Sequence, residues 1–218
     1  MFIGHHAIGF AAKRFAPRAS LGALMAAPLL ADLLWPVFLL LGWEQVRIVP
    51  GITKVTPLDL VNLSWSHSLV MLCVWATLFA LGYFIWTRYR AGAIAIWLGV
   101  VSHWVLDWVT HRPDMPLYPG GARYGLGLWN YPLATGVVEA AMFLVGLWLY
   151  VRTTKPVDRI GRYVFWAYAG LLALAYAGNM LSDTVPPGGK ALPVTALALS
   201  LIQLPWVWWF DRHRCAET

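Results

Sequence analysis

Two histidines and an aspartate stand at i, i+4 and i+8 in an otherwise apolar run of this chain: His103, Asp107 and His111. On an α-helix they share one face, within an arc of about 80° and about 12 Å of rise. Ionisable groups are costly in hydrocarbon, so a cluster of them inside an apolar segment is a functional signal. Imidazole and carboxylate are also the ligands that zinc and similar divalent ions prefer. Other polar residues interrupt apolar runs elsewhere. Asp32 lies in Pro28-Leu-Leu-Ala-Asp-Leu-Leu-Trp-Pro36, His67 in Trp65-Ser66-His67-Ser68, Glu139 in Thr135-Gly-Val-Val-Glu-Ala-Ala, and His5 and His6 near the N-terminus.

Each of these residues also has a plainer reading. Asp32 could be a protonated carboxyl bonded to a neighbouring helix, and His103 with Asp107 a structural hydrogen-bonded pair. His67 and His111 could be interfacial or solvated, and Glu139 could snorkel to the surface. His5 and His6 point about 100° apart on a helix, so at most one of them faces a shared metal. A glycine one turn on, Gly9, lets such a helix pack closely. Asn179 and Asp183 border a Pro/Gly loop and read as turn residues.

The elements that must position these groups follow from composition. The chain has 218 residues, 60% hydrophobic and 12% charged, with 14 tryptophans. A soluble domain carries about 25% charged residues. Six runs of about 20 residues have the length a bilayer requires: 21–43, 66–87, 91–110, 133–151, 163–181 and 191–210. The expected fold is an all-α, polytopic transmembrane helical bundle forming a single domain over 1–218. Residues 1–12 are too short to span and read as a re-entrant or interfacial helix. The net charge of +6 lies in short clusters between apolar runs, so it marks topology rather than nucleic-acid binding. With the N-terminus inside, eleven Lys and Arg fall in inner segments and five in outer ones. This bias puts both termini in the cytoplasm. The two cysteines, Cys73 and Cys215, suggest neither a disulfide framework nor a zinc knuckle.

Depth then orders the polar groups. At about 1.5 Å per residue, Asp32 and His103 lie about 17–18 Å along their spans, near the midplane. Asp107, His111, His67 and Glu139 lie progressively outward, and His67 is the misfit. Either its helix starts deeper, or the outer face is indented. The loop 112–132 follows His111 directly, and its Arg112 and Arg123 could hold an anionic head group.

These residues resemble a known family. His5-x-x-x-Gly9, Asp32, Ser66-His67-Ser68 and His103-x-x-x-Asp107 are similar to the pattern of bacterial inner-membrane proteins grouped as membrane-bound metal-dependent hydrolases. The likeness runs over roughly the first half of the chain. That family often has Pro-Asp-x-Asp in its first helix, whereas Leu30-Ala31-Asp32 offers one acidic residue, which leaves the number of metals open. The order of ligands is also similar to zinc-dependent phospholipase C. That likeness implies one zinc on Asp32, His67, His103 and Asp107, a second on His5 and Asp107, and help to a third from His111 and Glu139. Thr135 stands where that family has a histidine four residues before its late Glu.

The resulting expectation is a bacterial inner-membrane hydrolase with its site in the middle-to-outer part of the membrane. It uses a divalent metal, zinc or manganese, and acts on a membrane lipid or lipid-linked ester or phosphoester. Asp32 and Asp107 are the candidate catalytic carboxylates, and His5, Asp32, His67, His103 and Asp107 the candidate ligands, with His6, His111 and Glu139 in reserve. Two rivals remain open: a small transporter using an intramembrane His/Asp relay, and a structural protein whose polar column ties helices together. Small size and the lack of a visible inverted repeat weigh against the transporter.

Overall fold

A computed structural model describes residues 1–182 and 185–216. Asp183 lies outside them, and Asn179 is helical rather than part of a turn. Among the described residues, five helices are long and apolar enough to cross a membrane. They are α4 (Leu69–Thr87), α5 (Arg90–Thr110), α6 (Pro132–Thr153), α7 (Arg159–Leu181) and α8 (Ala191–Asp211). They match five of the six expected spans to within a few residues, and the chain is an all-α membrane bundle.

The sixth expected span, 21–43, is corrected by the structure. It is not one helix but two, α2 (Leu21–Ala26) and α3 (Leu30–Leu40), separated by a turn at 27–29. Pro28 sits in that turn. It has no N–H to donate to the preceding turn, and its ring clashes with the carbonyl four residues back. Hydropathy averages over such a break, which is why the run reads as continuous.

Residues 1–12 do form a helix, α1 (Ile3–Phe15). It is inserted among α2, α5 and α6 rather than lying on the outside, with His5, Ala7, Gly9 and Phe10 buried. Gly9 permits this: a Cβ there would lie 3.0 Å from Met25 Cα and 2.6 Å from Met25 Sδ. Phe10 is the centre of an aromatic cluster. Its ring lies 5.4 Å from Tyr150 and 6.0 Å from Phe165, centroid to centroid, and Tyr168 and Phe210 complete the group. Below it, Asp211 accepts from Lys13 Nζ (2.8 Å), Leu21 N (2.7 Å) and Tyr150 O–H (2.9 Å). One carboxylate thus joins the ends of α1, α2, α6 and α8, and its lone pairs are well satisfied.

The second core region lies between α2, α3, α4 and α5, where Leu24, Ala27, Leu72, Ala76, Ile96 and Val100 are buried. Small residues let the helices approach. A Cβ on Gly99 would stand 3.0 Å from Ala27 Cβ, so α5 lies directly against the α2–α3 break.

The connections at the far end carry short strands that the hydropathy pattern does not announce. An antiparallel hairpin pairs β1 (Gln45–Ile48) with β2 (Leu58–Asn62). In the loop after α5, β3 (Met115–Pro116) pairs with β4 (Arg123–Tyr124), and a 3₁₀ turn (Leu128–Asn130) leads into α6. At the opposite end β5 (Thr154–Pro156) pairs with β6 (Arg214–Ala216).

Candidate metal centre

On α5 the buried positions recur every three or four residues: Gly92, Ile96, Gly99, Val100, His103, Trp104, Asp107 and Thr110. This is the face an amphipathic helix turns inward, and it carries His103 and Asp107 to the middle of the bundle. His111 is the first residue beyond the helix, in extended conformation. Its N–H still bonds Asp107 O (2.7 Å), and this keeps its ring on the same side. His67 lies in the turn 64–67 before α4, which starts three residues later than its hydropathy suggests. The turn is buried, with Ser66 and Ser68 fully inaccessible.

The structure brings His5, Asp32, His67, His103 and Asp107 together. Asp107 Oδ2 lies 3.0 Å from His103 Nε2, 3.4 Å from His111 Nε2 and 3.9 Å from His67 Nε2. Asp32 Oδ1 lies 3.6 Å from His67 Nε2 and 4.0 Å from His103 Nε2. His5 stacks on His103 with ring centroids 3.9 Å apart, and its Nε2 is 3.0 Å from Asp107 Oδ1. The amino group of Met1 is also buried against Asp107.

The outward hydrogen bonds of the histidines set their tautomers. His103 Nδ1 donates to Pro28 O at 2.7 Å. Ser66 gives its hydroxyl proton to Glu44 Oε2 (2.6 Å), so its oxygen accepts from His67 Nδ1 (2.6 Å). His111 Nδ1 donates to Asp114 Oδ1 at 3.0 Å. With Nδ1 protonated in each neutral ring, all three Nε2 atoms carry lone pairs, and all three face carboxylate oxygens. His103 Nε2 is buried without a hydrogen-bond partner. Acceptors facing acceptors in a buried space repel unless a cation lies between them.

That arrangement fits a divalent metal ion. Tetrahedral ligands at 2.0–2.1 Å from zinc are separated by about 3.3 Å, and the contacts above bracket that spacing. Two overlapping groups, His5–His103–Asp107 and Asp32–His67–His103, each keep their ligand atoms within 4.8 Å. The outward Nδ1 bonds are the support that metal-bound histidines typically have. Asp32, His67, His103 and Asp107 would hold one ion, with His5 and His111 flanking Asp107.

Other candidates from the sequence lie elsewhere or are engaged. Glu139 accepts from Phe2 N (2.8 Å) and Gly4 N (3.1 Å), so it caps the first turn of α1, where backbone N–H groups need an acceptor. His6 points away from His5: its ring nitrogens face Phe2 O (3.1 Å) and Gln203 Oε1 (3.0 Å). Arg112 pairs with Asp59 and with Asp114 (3.2 Å), and Arg123 is exposed on β4. Glu44, Asp59 and Asp114 are not among the residues that the sequence singles out. Glu44 and Asp114 are the residues that fix His67 and His111, and Asp59 holds Arg112 beside Asp114. Glu44, next to an interfacial Trp and ahead of a Ser-His-Ser turn, is the nearest thing to an advance signal.

Access is uneven. The side chains of His5, His67, His103, Asp107 and His111 are buried, whereas that of Asp32 is 43% exposed. A narrow cleft of about 90 Å³ reaches Asp32, His67, Asp107 and His111. A larger cavity of about 470 Å³ also borders Asp32, between α3, α7 and α8 and beside the start of α1.

Fold and site together define a polytopic membrane protein with a buried His/Asp cluster that could hold a metal ion. The chain belongs to the YdjM inner membrane protein family, whose model matches residues 1–185. The match takes in every residue of the cluster and extends well past the half of the chain in which the motifs lie. No curated protein and no solved structure matches the chain.

Proposed function

We propose that this protein is a metal-dependent hydrolase embedded in the inner membrane, acting on a lipid-linked ester or phosphoester. The observation that carries the reading is the convergence of three histidine Nε2 atoms, each ring held by an outward Nδ1 bond, on the carboxylates of Asp32 and Asp107. A purely structural His/Asp network would put protons between these atoms. A divalent ion held there lowers the pKa of bound water and polarises a phosphoryl or acyl oxygen. Asp107, buried among the histidines, holds the centre together. Asp32, on the open side, is placed to take a proton from an attacking water or to orient it. The membrane setting and the apolar cavity beside Asp32 favour a substrate that partitions into lipid.

Elemental analysis of protein purified without chelators tests this. Wild type should carry near-stoichiometric zinc or manganese, and His103→Ala and Asp107→Asn should each lose it. Metal-free wild type would sink the proposal. With metal present, release of phosphate or head group from lipid substrates is the next readout. Proton-coupled flux in liposomes without hydrolysis would point instead to an ion relay.

A further inference from the structure

We propose that the cavity between α3, α7 and α8 is the binding site for the hydrocarbon chain of the lipid substrate, which enters sideways from the bilayer and lays its ester or phosphoester at Asp32. The head-group part rests on the hydrolase reading, and the chain site stands apart from it. At about 470 Å³ the cavity falls inside the roughly 300–1,000 Å³ typical of small-molecule sites. Its wall is mainly apolar, with Leu29, Leu171, Leu172, Ala175, Leu199 and Ile202. All but Leu29 lie on α7 and α8, two of the membrane-crossing helices. Leu171, Leu199 and Ile202 are each more than half exposed, so the open side of the cavity looks into hydrocarbon rather than water.

One end is polar, and it adjoins the metal centre. Met1, Asp32 and Trp35 border both this cavity and the cleft containing His67, Asp107 and His111. The indole N–H of Trp35, at this end, is buried without a hydrogen-bond acceptor. Unpaired buried donors are costly, and the oxygens of an ester or phosphoester are the acceptors a lipid head group supplies. A second cavity of similar volume lies between α1 and α5, lined by Ile8, Phe15, Ile94 and Leu98. It has no charged residue on its wall and does not reach the carboxylates. A chain alone could lodge there, but a reacting head group could not.

The test uses the full chain in lipid nanodiscs with hexadecyl phosphate carrying a diazirine near the end of its chain. After irradiation, labelled peptides are mapped and metal content is measured on the same sample. Labelling should concentrate on α7 and α8 around Leu171, Ala175 and Leu199, and excess unlabelled hexadecyl phosphate should compete it away. Ala175→Trp and Ala196→Trp fill the space and should cut labelling by about tenfold or more, with metal content unchanged as proof of folding. Label spread over the outer faces of α4 and α6, with no enrichment at the cavity and no effect of the tryptophans, would overturn the chain site while metal binding stands. Enrichment at the cavity in protein that binds no metal would uphold the chain site and overturn the hydrolase reading.

Discussion

His67 shows how residue-level chemistry is set from behind. Its ring is aimed at Asp32 and Asp107 because Ser66 Oγ accepts a hydrogen bond from its Nδ1–H, and Ser66 can accept because its own hydroxyl donates to Glu44. Glu44 further accepts from Trp65 N (2.8 Å) and Ser66 N (2.7 Å), so one carboxylate holds the whole turn. Such supporting groups typically contribute 10- to 100-fold to metal affinity. Ser66→Ala and Glu44→Gln should therefore each weaken zinc binding by about that factor, measured by competition with a chromophoric chelator. Unchanged affinity in both would mean that His67 is not a ligand. The equivalent support for His111 is Asp114, itself held by Arg112 and Asp59. In the sequence the candidate ligands stand out because an ionisable group in an apolar run is conspicuous. Their supports stay hidden because acids in polar loops are unremarkable, and the support at His103 is a backbone carbonyl, which no residue type announces.

At the scale of elements, the α2–α3 break decides the geometry around His103. Pro28 ends α2 and presents its carbonyl to His103 Nδ1, while Gly99 one turn earlier lets α5 come close enough for that bond. Gly99→Val would insert a branched side chain at a 3.0 Å contact with Ala27. It should cost about 1–3 kcal/mol of stability by overpacking, seen as a lower melting temperature in detergent, and should reduce metal content along with it. A conservative substitution facing lipid, such as Val74→Ala, provides the comparison. At the other end of the bundle, Asp158 caps α7 by accepting from Gly161 N (2.9 Å), and it also accepts from the His213 ring (2.6 Å). The Gly161 N–H, followed by His213, holds its carboxyl below the usual carboxylate range. A depressed folded value means that this contribution is fully present above the unfolded pKa of about 3.9 and is lost as pH falls through the folded value. The protection of the 154–161 and 213–216 amides, relative to their intrinsic exchange rates, should fall on acidification below about pH 4, and Asp158→Ala, which removes the cap's acceptor, should show fast exchange already at neutral pH. Exchange that stays slow in that variant would refute the cap's role.

At the scale of the whole molecule, α1 is the piece that everything else is arranged to hold. Glu139 caps its first turn, Phe10 fills the aromatic core, and Lys13 closes the far end on Asp211. His5 reaches the His/Asp cluster because both ends of the helix are fixed. Lys13→Met removes one partner of a buried pair and leaves Asp211 uncompensated, a loss of about 3–5 kcal/mol. Thermal unfolding in detergent should show it, and the Lys13→Met/Asp211→Leu double variant should recover part of it. A single variant as stable as wild type would mean that Asp211 is protonated or hydrated. The five long spans were legible as hydropathy, because crossing a bilayer demands about 20 apolar residues whatever the neighbours do.

The chain's own order of residues was enough to establish a membrane bundle, its five long helices and which ionisable side chains are out of place in it. Those are local properties: length, period and the cost of a charge in hydrocarbon. Which of these side chains meet was settled by packing. His5 was chosen over His6 by the rotation of α1, Glu139 was turned into a helix cap by where that helix begins, and His67 was drawn inward by a turn that hydropathy reads as helix. The expected first span became two helices because one proline outweighed an apolar run. Contacts between positions 5, 32, 67, 103 and 107 depend on rotations and offsets of separate helices, and no local pattern in a single chain encodes those.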